Sequence, residues 1–189
     1  MKSSIIKWLL LSATSLLLAC SAPIKQVIVS PEINVGSSDA FQQKQVQLRF
    51  SDLRRSNHVV QILRAGEATQ LYSPQERIVD IVSTALTPAL IANSLQIQPL
   101  AVNQVDVIID NALVSVQQEL LKYSASNQMS FRVVVNNGKN TLTKTFKITG
   151  TSNGPLKADL AVLERDFNQQ LTKLLNQIVQ SEDLQQFIQ

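Results

Sequence analysis

A chain of 189 residues, 44% of them hydrophobic and 16% charged, is long enough to bury one real core, and this ordinary apolar content excludes a disordered chain. Its formal charge of +3 contains no Lys/Arg run longer than Arg54-Arg55, so nucleic acid is excluded as an expected partner. A single cysteine, Cys20, excludes an internal disulfide.

The first twenty residues have the three parts of an export signal. Lys2 and Lys7 give a positive start, Ile5 to Leu18 an apolar stretch softened by Ser12, Thr14 and Ser15, and Ala19 a small closing residue. The apolar run is about a dozen residues, short of the roughly 20 that a membrane-spanning helix needs, so a cleaved signal is favoured over a permanent span. Leu17-Leu18-Ala19-Cys20 resembles the lipobox of bacterial lipoproteins. A thiol is needed there because sulfur is the nucleophile that accepts a diacylglyceryl group, while Leu17, Leu18 and Ala19 form the signal-peptidase recognition segment. An ordinary signal peptide with an incidental cysteine is the competing reading.

The lipobox divides the chain into a cleaved signal (1–19), a lipidated tether (20–26) and a single α+β periplasmic domain (27–189). Cys20 would carry the acyl chains. One chain binds a bilayer only marginally, but two or three hold firmly, at about 0.8 kcal/mol per buried CH₂. Ser21 is not the Asp that resembles an inner-membrane retention signal, so the expected location is the periplasmic face of the outer membrane. Lys2 and Lys7 leave with the signal, and the mature domain is then near neutral.

Along the domain, Val27-Ile28-Val29 reads as a first strand, resumed at Ile33–Val35 after Pro31. Residues 46–50 alternate, with Val46, Leu48 and Phe50 on one face, and residues 58–64 read as the partner strand. Ser73-Pro74-Gln75-Glu76 has the form of a capping box with Pro at the first helical position. The helix it opens carries Ile78, Ile81, Val82, Ala85, Leu86, Ala89 and Leu90 on one face. Pro88 predicts a kink or an early end within it. Residues 105–116 form a strand apolar enough to be central, and residues 129–148 a hairpin about Asn137-Gly138, a pair suited to a type I′ turn. That turn would set Phe131 opposite Lys144, so its register stays open and a bulge is one resolution. From Leu156 a long helix buries Leu160, Leu163, Phe167, Leu171, Leu174 and Ile178, and Ser181 can cap a last short turn. The order β-β-β-α-β-β-β-α predicts a mixed, mostly antiparallel sheet of five or six strands, with two helices packed on one face.

Little in this pattern carries chemistry. His58 is the only histidine; as a base it would pair with Asp52, but no nucleophile is spaced to meet it, and an exposed strand-end residue is the plainer reading. Asp106 and Asp110 fall on one strand face about 13 Å apart, too far to share a metal ion. No cofactor is implied. The stretch "SDLRRSN" (51–57) offers Asp52, Arg54 and Arg55 as a polar recognition loop for a carboxylate, phosphate or sugar. The plainer reading is a solvated turn in which Asp52 bonds backbone and Arg54 caps the sheet edge.

The lipobox followed by "VIVSPEINV", "VQLRFSDLR", "SPQERIVDIV" and, at the end, "SEDLQQFI" resembles the YajG-type family of bacterial lipoproteins. The resemblance implies location and fold, and brings no catalytic residues. The expectation is a non-catalytic binding or scaffolding domain in envelope assembly or maintenance, facing an unknown periplasmic or outer-membrane protein and held to the membrane by its N-terminal lipid. The alternative is an accessory lipoprotein of a lipid or solute transport system, holding an apolar ligand in a groove beneath the kinked helix, near Val82 and Leu86.

Overall fold

The computed structural model describes residues 26–188. The signal, Leu17-Leu18-Ala19, Cys20 and the tether as far as Lys25 lie outside the described residues. The elements in chain order are β1 (Gln26–Val27), β2 (Gln45–Asp52), β3 (Val60–Arg64), β4 (Gln70–Pro74), α1 (Ile78–Ala92), β5 (Gln96–Ile97), β6 (Asn103–Gln118), β7 (Lys122–Asn136), β8 (Thr141–Pro155), α2 (Leu160–Val179) and the short α3 (Glu182–Phe187).

The sheet is built on β6, 16 residues long. On one edge β7 pairs with it antiparallel from Gln104 to Gln118, and β8 pairs antiparallel beyond. The other edge is shared by two shorter strands laid end to end. β2 pairs parallel with residues 103–109 and β3 pairs parallel with residues 114–118. β5 lies parallel outside β2; β4 lies antiparallel outside β3, with β1 parallel beyond it. Among the described residues the sheet therefore has eight strands and is mixed, with four parallel and three antiparallel pairings. This corrects the expectation of five or six mostly antiparallel strands, and of β2 and β3 as hairpin partners. Both are short because each needs only half of β6.

A register shift between Ile109 and Asn111 divides the two halves of β6. Val105, Val107 and Ile109 are buried before it, and Ala112, Val114 and Val116 after it. The extra residue at Asp110 keeps one face apolar through a change of parity. Both main helices cover that face. α1 lies against β2, α2 lies against β7 and β8, and the helices touch each other.

Four local readings change. Ser73-Pro74 ends β4 instead of capping a helix, and α1 begins after Arg77. The helix runs through Pro88 to Ala92. The β7–β8 turn spans residues 137–140, pairing Asn136 with Thr141 and so Phe131 with Phe146. This register sets the two aromatic rings directly opposite each other, worth about 0.5–1.5 kcal/mol beyond their burial, in place of the Phe131–Lys144 pair that a type I′ turn at Asn137-Gly138 would make. α2 begins at Leu160, capped by the Asp159 carboxylate, which accepts from the Ala161 N–H. Residues 156–158 are held in a turn instead.

Residues 33–35 are not a strand, and residues 28–32 find their partners on a helix. The N–H groups of Ile28, Ser30 and Glu32 donate to the side chains of Glu164 (2.7 Å), Asn168 (2.8 Å) and Thr172 (3.0 Å) on α2. Two residues of extended chain advance ~6.6 Å and four of helix ~6.0 Å, so the spacings match. From the other side Gln75 brackets Val29, accepting from its N–H and donating to its carbonyl. Asn168 also donates to the Ile28 carbonyl at 2.8 Å. Replacing Asn168 by Ala is expected to cost about 1–2 kcal/mol in chemical denaturation, the worth of two hydrogen bonds, and to speed hydrogen exchange at the Ser30 amide.

Candidate binding site

The polar residues singled out in the sequence lie at separate places. Asp52 and Arg54 form a closed clasp where the β6 edge passes from β2 to β3. Arg54 donates to both carboxylate oxygens, through Nε at 3.0 Å and through the outer guanidinium nitrogen at 2.9 Å, and its backbone N–H bonds the same carboxylate. The Arg54 side chain is 5% exposed and that of Asp52 21%. Arg55 points outward. His58 is half-buried and shares a hydrogen bond with the Ser56 hydroxyl; the partner of Asp52 is Arg54. On the open face of the sheet Asp106 binds Arg49 (2.6 Å) and Asp110 binds Arg132 (2.7 Å). These hydrogen bonds raise both guanidinium groups above their ordinary pKa. No cluster of three His, Cys, Asp or Glu residues able to hold a metal occurs among the described residues.

The less obvious feature lies between the covered face and α2. Going along β7 from the turn, the inward side chains are Val135, Val133, Phe131 and Met129, then Asn127 and Ala125. On β8 they are Phe146 and Ile148, then Gly150 and Ser152. Bulk gives way to small and polar residues at the same level on both strands, and α2 bridges the gap. The result is a cavity of about 210 Å³ lined by Val114, Ala125, Gly150, Leu163, Gln170 and Asn127, with Thr151, Ser152, Asp166 and Gln169 also on its wall. Gly150 lets the Gln170 amide close over the strand: a Cβ there would lie 3.2 Å from its Nε2.

Asn127 distinguishes this cavity. Its residue is 6% exposed, yet neither its Nδ2 nor its Oδ1 has a hydrogen-bond partner among the described residues. Gln118, 7% exposed and also at the inner face, gives the contrast. Its amide donates to the carbonyls of Glu119, Lys122 and Leu156 and accepts from the Ala158 N–H. A buried amide left unpaired costs about 1–3 kcal/mol, so Asn127 is an expensive residue for a merely structural position. A polar residue inside an otherwise apolar stripe was the available sequence signal.

The family model for an uncharacterised lipoprotein family matches residues 31–189. The chain belongs to that family of bacterial lipoproteins. Membership makes it a membrane-anchored envelope protein in type. No curated protein matches the sequence. Among solved structures, a Xanthomonas campestris protein of the family DUF330 is similar with a TM-score of 0.56 at 13% identity, over 88% of this chain and 97% of that one. A Helicobacter pylori protein described as a neuraminyllactose-binding hemagglutinin homologue is similar with a TM-score of 0.51 at 11% identity, over 86% and 96%. At these identities the likeness is one of fold.

The clasp makes a direct prediction. Arg54→Ala strips a partly buried carboxylate of its partner and should cost about 2 kcal/mol in denaturant unfolding, whereas Arg55→Ala should change stability by no more than about 0.5 kcal/mol.

Proposed function

We propose that this lipoprotein is a non-catalytic binding domain, carried by acylated Cys20 on the periplasmic face of the outer membrane, and that the Asn127 cavity is where it binds. The observation that carries this reading is the doubly unpartnered amide, buried and facing into the space beneath α2. An amide offers one donor and one acceptor group side by side, which suits a ligand presenting hydroxyl or amide groups. The wall adds Thr151 and Ser152 hydroxyls and the Gln169 and Gln170 amides, with Leu163, Val114 and Ala125 for apolar contact. The one carboxylate, Asp166, is already paired with Arg165 at 3.0 Å. This is the chemistry of an uncharged polar group. At about 210 Å³ the space is smaller than the roughly 300–1,000 Å³ of drug-sized pockets, so it fits one sugar ring or a peptide side chain of a larger envelope molecule.

An apolar ligand under α1 has less to support it. Val82 and Leu86 are fully buried, so side chains fill that space.

Asn127→Leu tests the reading, since leucine is close in volume and removes only the polar atoms. The variant is expected to be more stable by about 1–2 kcal/mol, the cost of the unpaired amide, and to lose the binding of mono- and disaccharides or dipeptides detected by ligand-observed NMR. A destabilised variant, or a native protein that binds none of these probes, contradicts it.

A further inference from the structure

The hairpin joining β6 to β7 puts two leucines into solvent. Leu120 is 95% exposed and Leu121 75%, and Leu156, from the turn between β8 and α2, stands beside them at 65%. Leu156 adopts φ +62, a left-handed conformation that a bulky side chain rarely takes. Its N–H donates to the Leu121 carbonyl at 2.8 Å, and the Gln118 amide ties the same two turns together. The leucines are thus presented by a braced, strained backbone. Around them runs an open groove of about 1,070 Å³, walled by Arg64, Glu67, Glu119, Lys122 and Lys157. Glu67 pairs with Arg64 and Glu119 with Lys122, so Lys157 supplies the net positive charge.

What covers this tip follows from where the chain outside the structure begins. β1 pairs parallel with β4, Gln26 facing Ser73 and Val27 facing Pro74. The direction back from Gln26 is therefore the direction from Ser73 toward Gln70. Gln70 shares a cleft with Gln118 and Lys157, at the hairpin end of the sheet. The strap gives the same direction independently. Residues 28–32 run alongside α2 from Glu164 toward Thr172, so Ile28 lies toward the start of α2, beside the same turn. Gln26 lies about 10 Å short of Gln70 along the sheet, and Gln70, level with Val116 through Ile62, lies a further ~13 Å short of Leu120. The six residues from Cys20 to Lys25 span up to ~20 Å. Extended along the strand direction, they would bring an anchor at Cys20 to within about 3 Å of the level of Leu120, at the headgroup layer beside the tip.

We propose that Leu120, Leu121 and Leu156 seat this end of the domain in a lipid bilayer, the one that holds its anchor. The leucines enter the interfacial layer, Lys157 faces anionic headgroups, and the sheet is held in one orientation instead of swinging on its tether. The proposal rests on the anchor at Cys20 and not on the Asn127 cavity. A second apolar pair, Leu100 (97% exposed) and Val102 (75%), marks the opposite end of β6, farther from Gln26.

The test uses the full lipoprotein in mixed phosphatidylethanolamine–phosphatidylglycerol vesicles. A nitrobenzoxadiazole label is placed at Leu120→Cys or, separately, at Leu100→Cys. The label at 120 is expected to be quenched by doxyl-labelled lipids and shielded from iodide, and the label at 100 to show the reverse. Three results overturn the proposal: both labels in water, the label at 100 in lipid, or the label at 120 shielded without lipid quenching, which would mean a second copy covers it. Intact mass of the same preparation shows whether Cys20 is acylated, so a missing anchor and a missing seat are read separately. In the unacylated Cys20→Ser chain, Leu120→Glu with Leu121→Glu should weaken vesicle binding by about tenfold, equivalent to ~1.4 kcal/mol. Both sites are exposed, so folding is not at stake; unchanged binding contradicts the proposal.

Discussion

The structure depends on a long strand that must be paired along both edges while showing one apolar face. β6 meets the first demand with three neighbours: β7 throughout, and β2 and β3 in succession on the far edge. It meets the second by inserting one residue where the neighbours change, so that the buried stripe continues from Ile109 to Ala112. The loop between β2 and β3 has to cross that junction, and the Asp52–Arg54 clasp closes it there. The two charged residues that stand out in the sequence thus serve the place where the sheet changes partners. The outward Asp106 and Asp110, each with its own arginine, keep the uncovered face polar.

The two ends of β6 differ. Toward the β7–β8 turn the space under the helices is filled by valine, phenylalanine and methionine; toward the β6–β7 hairpin it opens around Ala125, Asn127 and Gly150. Beyond the opening stand the braced turns with their exposed leucines. Residues 28–32 lie in an extended path along α2, with Ile28 toward the same end and hydrogen bonds supplied by Glu164, Asn168 and Thr172. A membrane-side foot, a cavity just above it and a packed distal body is the order of parts that the two proposals together give the domain.

The periodic elements were legible. The apolar stripes of α1 and α2, the alternation of residues 46–50 and the central strand all follow from side-chain period, because burial sets them residue by residue. The bulge was misplaced: residues 105–116 read as one continuous strand although their apolar positions change parity between Ile109 and Ala112, and the hairpin of residues 129–148, where a bulge was one resolution, pairs without a register shift. The β7–β8 hairpin was legible from its turn, but the partners of β2 and β3 were not, since parallel pairing of both with the same strand depends on contacts far apart in sequence. Short elements escaped as well. β4 and β5 are too brief to show a period, and Ser73-Pro74 carries a helix signal that strand pairing with β1 overrides. The strap was hidden because its partners are side chains at helical spacing more than a hundred residues away. Asn127 was visible as a letter, but its lack of partners is a property of packing.

The central claim is that the domain stands on its hairpin end, with β6 rising from the bilayer. Neutron reflectometry of the lipoprotein on a supported bilayer measures this directly. At ~3.3 Å per residue a strand of 16 residues is ~50 Å long. The account predicts a protein layer at least that thick, in continuous contact with the headgroups. A water-filled gap beneath the protein, or a layer about half as thick with the sheet lying flat, would contradict it.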